Sequence, residues 1–159
     1  MIATILEVLK NRAETLATAE SCTGGRIASA ITGISGASAV FRGGIVAYHE
    51  DIKESVLNVD KRILSECHVV SRETALAMAA GATRISQSDW AIATTGYAGP
   101  GGGDDKYPVG TVCFGVYSPK YAFALTVTER FEGDRESVIR QATIFALDLL
   151  LNSIQSRNC

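Results

Sequence analysis

The sequence predicts an α/β fold, a three-layer αβα domain around a mixed β-sheet. Three observations point to it. Helical apolar periodicity occupies both ends of the chain, in residues 2–17 and 134–154. Short apolar runs of strand length, at 16–20, 39–48 and 90–95, are separated by helical stretches. Two further strand-like runs, 111–117 and 121–127, follow one another directly. Strand–helix alternation calls for parallel crossovers and adjacent strands for a hairpin, so the sheet is mixed. At 159 residues, 47% apolar and 20% charged, the chain can bury one core. It shows no linker, repeat or low-complexity tract, and residues 1–159 are read as one domain.

Each segment has a local reason. Ile2, Ile5, Leu6, Val8, Leu9, Ala13 and Leu16 recur in steps of three and four, giving one apolar helix face. Leu16–Glu20 reads as a short buried strand ending at Ser21. Arg26–Ile34 is a small-residue helix closed near Gly33 or Gly36. Ala39–Tyr48 is a strand, bulged at Gly43–Gly44. Residues 50–57 suggest a short helix. Ser71 is an N-cap for a helix through Ile85, with Glu73 in its first turn. Trp90–Thr95 is a compact apolar strand. Residues 96–110, with six glycines and two prolines, form a loop. Ser118-Pro119-Lys120 turns the hairpin between the late strands. The last helix buries Val138, Ile139, Ala142, Phe145, Ala146, Leu149 and Leu150.

Composition narrows the function. The net charge is −2 without a basic stripe, which disfavours a nucleic-acid binder. No run of about 18 apolar residues predicts a membrane span. Met1-Ile2-Ala3-Thr4 lacks a basic signal-peptide start. Cys22, Cys67, Cys113 and Cys159 are widely spaced, and neither His49 nor His68 shares helical spacing with them. No metal site is expected, and free thiols in a reducing cytoplasm are.

The stretch Ala19-Glu20-Ser21-Cys22-Thr23-Gly24-Gly25 runs from a strand into a helix start. Loops at the carboxyl edge of such sheets bind ligands. Glycines there let a ligand approach the backbone, and helix-start amides suit a phosphate or oxyanion. Alternatively, Ser21 or Thr23 caps the helix and the glycines ease packing. Ser21 and Cys22 are both candidate nucleophiles. His68, beside Cys67, reads as structural and His49 as surface. A lysine base must have its pKa brought from near 10.4 toward about 7, which burial does; Lys53 is one candidate, and a solvated Lys53 is the alternative.

Two later stretches add to this. Thr95-Gly96-Tyr97-Ala98-Gly99-Pro100-Gly101-Gly102-Gly103 follows a buried strand and fits either a ligand loop or a plain flexible one. Asp104-Asp105 next to it reads as solvated rather than as a magnesium site. Arg135 sits in the first turn of the last helix, where a cation is disfavoured by about 0.5 kcal/mol. It either meets an anion there, or turns to solvent or to Glu132.

Together these stretches, with Gly44-Ile45-Val46-Ala47-Tyr48, Lys53, Val70-Ser71, Met78-Ala79 and Pro108-Val109-Gly110-Thr111-Val112, resemble the CinA C-terminal domain family in order, from about residue 3 to 152. That family includes stand-alone nicotinamide-nucleotide amidohydrolases, and the chain looks like the stand-alone form. The resemblance implies a three-layer α/β fold, frequent homodimers, and hydrolysis of nicotinamide mononucleotide to nicotinate mononucleotide and ammonia without a metal or cofactor. The alternative is a silent nucleotide-binding or regulatory module tied to competence or DNA damage. Carried over, Ser21 is the nucleophile, Lys53 its base, and Tyr48 relays the proton or orients Lys53. Thr95 and Arg135 match positions near the substrate. Our reading of the residues adds Thr23, Gly24 and Gly25 at the oxyanion or phosphate, and Gly96, Gly101 and Gly102 at the nucleotide. Departures from the family pattern are His49 and Glu50 in place of Ser-Asn, Tyr97 in place of isoleucine, and Tyr107 before Pro108. They flank the expected pocket and bear on substrate choice.

Overall fold

A computed structural model describes residues 1–157; the expected free thiol of Cys159 lies outside them. The elements in order are α1 (Ile2–Asn11), β1 (Leu16–Glu20), α2 (Arg26–Thr32), β2 (Phe41–Val46), α3 (Glu50–Ser55), α4 (Arg72–Ser86), β3 (Trp90–Gly96), β4 (Thr111–Ser118), β5 (Phe123–Arg130) and α5 (Arg135–Gln155). The five strands form one sheet in the order β2-β1-β3-β4-β5. β1 is parallel to both β2 and β3, whereas β3-β4 and β4-β5 are antiparallel. The predicted mixed αβα architecture is therefore the observed one.

Side-chain alternation separates two packed layers. Leu16, Trp90 and Ile92 face a core shared with Ile5 and Leu9 of α1, Ile27 and Ile31 of α2, and Ala142, Leu150 and Ile154 of α5. Ala17, Ala19, Ala91 and Ala93 face the other way, onto Met78, Ala79 and Ala82 of α4. Alanines on both surfaces let α4 approach closely. At Gly115 of β4 an added Cβ would fall 2.6 Å from the Ala75 carbonyl group of α4.

Several boundaries differ from the sequence reading. α1 stops at Asn11, because Ala13 is left-handed (φ 51°) and Glu14 turns inward. The step to Leu16 is thus a strand position, not a helical one. Glu14 is buried and accepts from Trp90 Nε1 (2.9 Å), Lys120 Nζ (3.0 Å) and the Tyr121 hydroxyl. The β2 bulge lies at Arg42, one residue before the glycine pair, since Leu16 pairs with Phe41 and Ala17 with Gly43. Residues 63–67 form a π-helical turn that periodicity does not reveal. Phe145 and Leu149 are only half-buried; Leu147 and Ile154 occupy the core instead. By length and composition α5 is apolar enough to cross a membrane, which the sequence reading does not expect. Half of it is buried, and it packs as a core helix.

The topology creates one edge suited to a site. β1 leads through α2, on one face, to β2, and β2 leads through α3 and α4, on the other face, to β3. The two crossovers leave opposite faces, so a crevice opens beyond the carboxyl ends of the parallel strands. Ser21, Ala47 and Thr95 all stand at that edge.

Gly115→Ala is expected to destabilise the fold by about 1–3 kcal/mol, because the helix backbone has to retreat from the new methyl group. Urea unfolding measures this, and an unchanged midpoint would contradict the close α4–β4 packing.

Candidate active site

The turn after β1 presents Ser21. Its amide donates to the Thr94 carbonyl (2.9 Å), which ties the turn to β3. Gly24 and Gly25 follow with φ of 58° and 95°, conformations that glycine adopts without strain. The chain thereby reverses tightly enough to begin α2 against the end of β1.

Lys53 arrives from α3. This short helix is capped by His49, whose Nδ1 accepts from the Asp51 amide (3.4 Å). Its burial pattern is inverted: Lys53 is 3% exposed, whereas Ile52 is 37% exposed. Lys53 Nζ lies 3.0 Å from Ser21 Oγ, 3.1 Å from the Ala47 carbonyl and 3.4 Å from the Tyr48 carbonyl. Burial pulls its pKa below the ordinary 10.5, against the opposing influence of Cys22 and Glu50. A neutral amine has two N–H groups and one lone pair. Lys53 Nζ donates to all three oxygens here; once neutral, it can keep the two carbonyls on its N–H groups and turn its lone pair to the Ser21 hydroxyl proton.

The pair opens into a cavity of about 240 Å³. Of the sequence-predicted residues, Ser21, Tyr48, Lys53, Thr95, Gly96, Gly101 and Arg135 line it. Cys22, Val69, Val70, Tyr97 and Ala98 line it as well. Val69 and Val70 come from the segment before α4 and were not anticipated; Thr95 Oγ1 donates to the Val69 carbonyl (2.7 Å), which holds them there.

Thr23, Gly24, Gly25 and Gly102 are not among the lining residues. Thr23 is buried and donates its hydroxyl proton to Glu20 Oε2 (2.7 Å). The Gly25 amide also donates to Glu20 Oε2 (3.0 Å), and the Gly24 amide donates to the Ser21 carbonyl (3.1 Å). The Gly25 and Gly24 amides are therefore committed within the chain rather than open to a substrate anion. The Cys22 amide donates to its own thiol, and buried Thr23 does not reach the cavity. Gly102 packs against the Tyr97 ring, whose Cδ1 is 2.9 Å from where a Gly102 Cβ would sit.

Tyr48 acts on Lys53 through its carbonyl, not its hydroxyl. The hydroxyl accepts from Arg135 Nη2 (2.9 Å), and Arg135 Nη1 donates to the Gly99 carbonyl (2.8 Å). Arg135 thus faces the cavity and the glycine loop rather than Glu132. The Cys22 thiol is pushed up to about 12, first by burial, and stays protonated. His68 braces the loop: its Nδ1 accepts from the Val70 amide (3.2 Å), its Nε2 is 3.3 Å from Asp104, and its ring meets those of Tyr97 and Tyr107. Asp104 is accordingly part of that brace, accepting from the Lys106 and Tyr107 amides as well, rather than a free solvated carboxylate.

The lowered Lys53 pKa has a consequence for stability. Between its folded-state pKa and 10.5 the unfolded chain binds the extra proton, so this residue's contribution rises with pH there. Wild type should gain stability relative to Lys53→Met as pH is raised toward 10.5. Urea unfolding at stepped pH reads the difference, and a flat or falling difference would refute a depressed pKa.

Comparison with known proteins identifies the family. Residues 1–154 match the CinA C-terminal domain. The chain is 42% identical to the nicotinamide-nucleotide amidohydrolase PncC of Escherichia coli K12, covering 91% of this chain and 87% of that one. It is 50% identical to a CinA-like protein of Synechococcus sp. RCC307 over 82% of its length, but spans only 31% of that larger protein. A crystal structure of the competence damage-inducible protein A from Klebsiella pneumoniae superposes with a TM-score of 0.93 at 34% identity, covering 99% of this chain and 96% of that chain. Matched over residues 1–154, the chain belongs to the CinA C-terminal domain family.

Proposed function

We propose that this protein is an amidohydrolase that converts nicotinamide mononucleotide to nicotinate mononucleotide and ammonia. The contact between Ser21 Oγ and the buried Lys53 Nζ, 3.0 Å, carries the reading. The 42% identity to PncC supplies the substrate class.

Neutral Lys53 takes the Ser21 proton as Oγ attacks the carboxamide carbon. The tetrahedral oxyanion calls for N–H donors on the cavity wall beside Ser21, each well-aimed donor contributing roughly 3 kcal/mol. Lys53 returns the proton to the leaving nitrogen, ammonia departs, and an ester on Ser21 remains. Water then gives a proton to Lys53 and attacks the ester; Lys53 passes that proton to Ser21 Oγ as the acyl bond breaks, so nicotinate mononucleotide leaves and both Ser21 and neutral Lys53 are restored. Arg135 is the second cation facing the cavity and suits the phosphate. Thr95, Gly96 and Gly101 form the wall along the nucleotide. Tyr48 orients Lys53 through its carbonyl. No metal or cofactor is needed for these steps.

The reading also takes residues 1–159 as a single domain and a homodimer or higher homo-oligomer, as the family resemblance implies. The unpaired thiols of Cys22, Cys67 and Cys113 suit a reducing cytoplasm. A silent regulatory module is the second reading, favoured by the competence and damage names of the structural neighbours. The intact Ser21–Lys53 contact favours catalysis.

Ammonia release from nicotinamide mononucleotide is the test. Ser21→Ala and Lys53→Ala should each lose at least about 10³-fold in kcat, whereas Cys22→Ala should retain activity. Binding without ammonia release in wild type would favour the regulatory module. The rate should fall as pH drops through the Lys53 pKa, since a protonated amine cannot accept the serine proton. A rate flat from about pH 6 to 9 would count against Lys53 as base.

A further inference from the structure

We infer that Glu20 is a positioning residue for acyl transfer at Ser21, an inference that rests on the amidohydrolase reading. Glu20 is 1% exposed and immediately precedes the nucleophile. A carboxylate buried there has two ways to be satisfied. It can pair with Lys53, which would hold the amine protonated, or it can take backbone donors. The structure assigns the second. Oε2 accepts from the Thr23 hydroxyl (2.7 Å), the Gly25 amide (3.0 Å) and the Ile27 amide (3.1 Å). Oε1 accepts from the Ala28 amide (2.8 Å). Among the described residues, Lys53 bonds to Ser21 and to the Ala47 and Tyr48 carbonyls and not to Glu20.

Three consequences follow from these bonds. The start of α2 is filled by the protein's own carboxylate, so the substrate phosphate is turned away from it. Thr23, having given its proton to Glu20, accepts from Thr94 (2.8 Å), which stitches the turn to β3 a second time. The Glu20 carbonyl accepts from the Ala47 amide (2.8 Å), so the same residue also fixes the strand end whose carbonyls hold Lys53. Glu20 thereby sets Ser21 and Lys53 in one frame.

Glu20→Gln keeps the size but turns an N–H group toward backbone N–H donors. It should lower kcat about 10²-fold while leaving KM nearly unchanged and the acid limb of the pH profile in place. A kcat equal to wild type, or a loss that merely tracks the folded fraction, overturns the inference. So does an acid limb displaced by a full pH unit, which would mean that the carboxylate acts on the Lys53 charge. If Glu20→Gln does not fold, Thr23→Val removes one link of the same network. It should cost about 10-fold in kcat, and an unchanged kcat overturns the inference. The rate at which a fluorophosphonate ester labels Ser21 separates this inference from the substrate assignment. If wild type is labelled yet releases no ammonia from the nucleotide, the substrate reading fails. Labelling of Glu20→Gln then decides the positioning role: about 100-fold slower supports it, and an equal rate overturns it.

Discussion

An amine buried against a serine hydroxyl is the constraint around which the carboxyl edge of this sheet is organised. Taking an ammonium out of water costs several kcal/mol, and a neutral amine still needs acceptors for its two N–H groups. The end of β2 supplies them, through the Ala47 and Tyr48 carbonyls. α3 is correspondingly unusual, hiding its lysine and leaving aliphatic side chains in solvent. That arrangement is costly for a surface helix, and it is what the proposed base requires, since burial lowers the Lys53 pKa.

The same edge solves a second electrostatic problem. Glu20 and Lys53 both lie beside Ser21, and opposite charges in a buried setting would pair if they met. The α2 start carries about half a positive charge and several unpartnered amides. It takes the carboxylate and keeps the two groups apart. Charge-assisted bonds of about 1.5–3 kcal/mol each offset the cost of burying Glu20. The glycines serve this turn geometry, rather than leaving their own amides to a ligand.

Much of this was legible in the residues. Strand and helix order, the Ser71 cap and the late hairpin follow from periodicity and capping chemistry, because those signals are local. The Ser71 cap accepts the Thr74 amide at 3.0 Å, as its position before the helix predicts. The end of α1 was misread because Leu16 satisfies a helical step and a strand start equally well. The left-handed turn at Ala13, and the inward Glu14 that it delivers to Trp90, belong to no local pattern. The π-helical turn at 63–67 has no periodic signature either.

The sequence by itself determined the layered α/β class, the family membership carried by its glycine-rich and Ser21-containing stretches, and the short list containing Ser21, Cys22 and Lys53. Only the tertiary structure gave each of these its surroundings. It set Lys53, 32 positions away from Ser21, within reach of that hydroxyl. It kept Cys22 protonated by burial, and it gave the amides of Gly25, Ile27 and Ala28 to Glu20. The physical reason is that local sequence governs backbone propensity, whereas a pKa or a hydrogen-bond partner depends on which distant segment fills the neighbouring space.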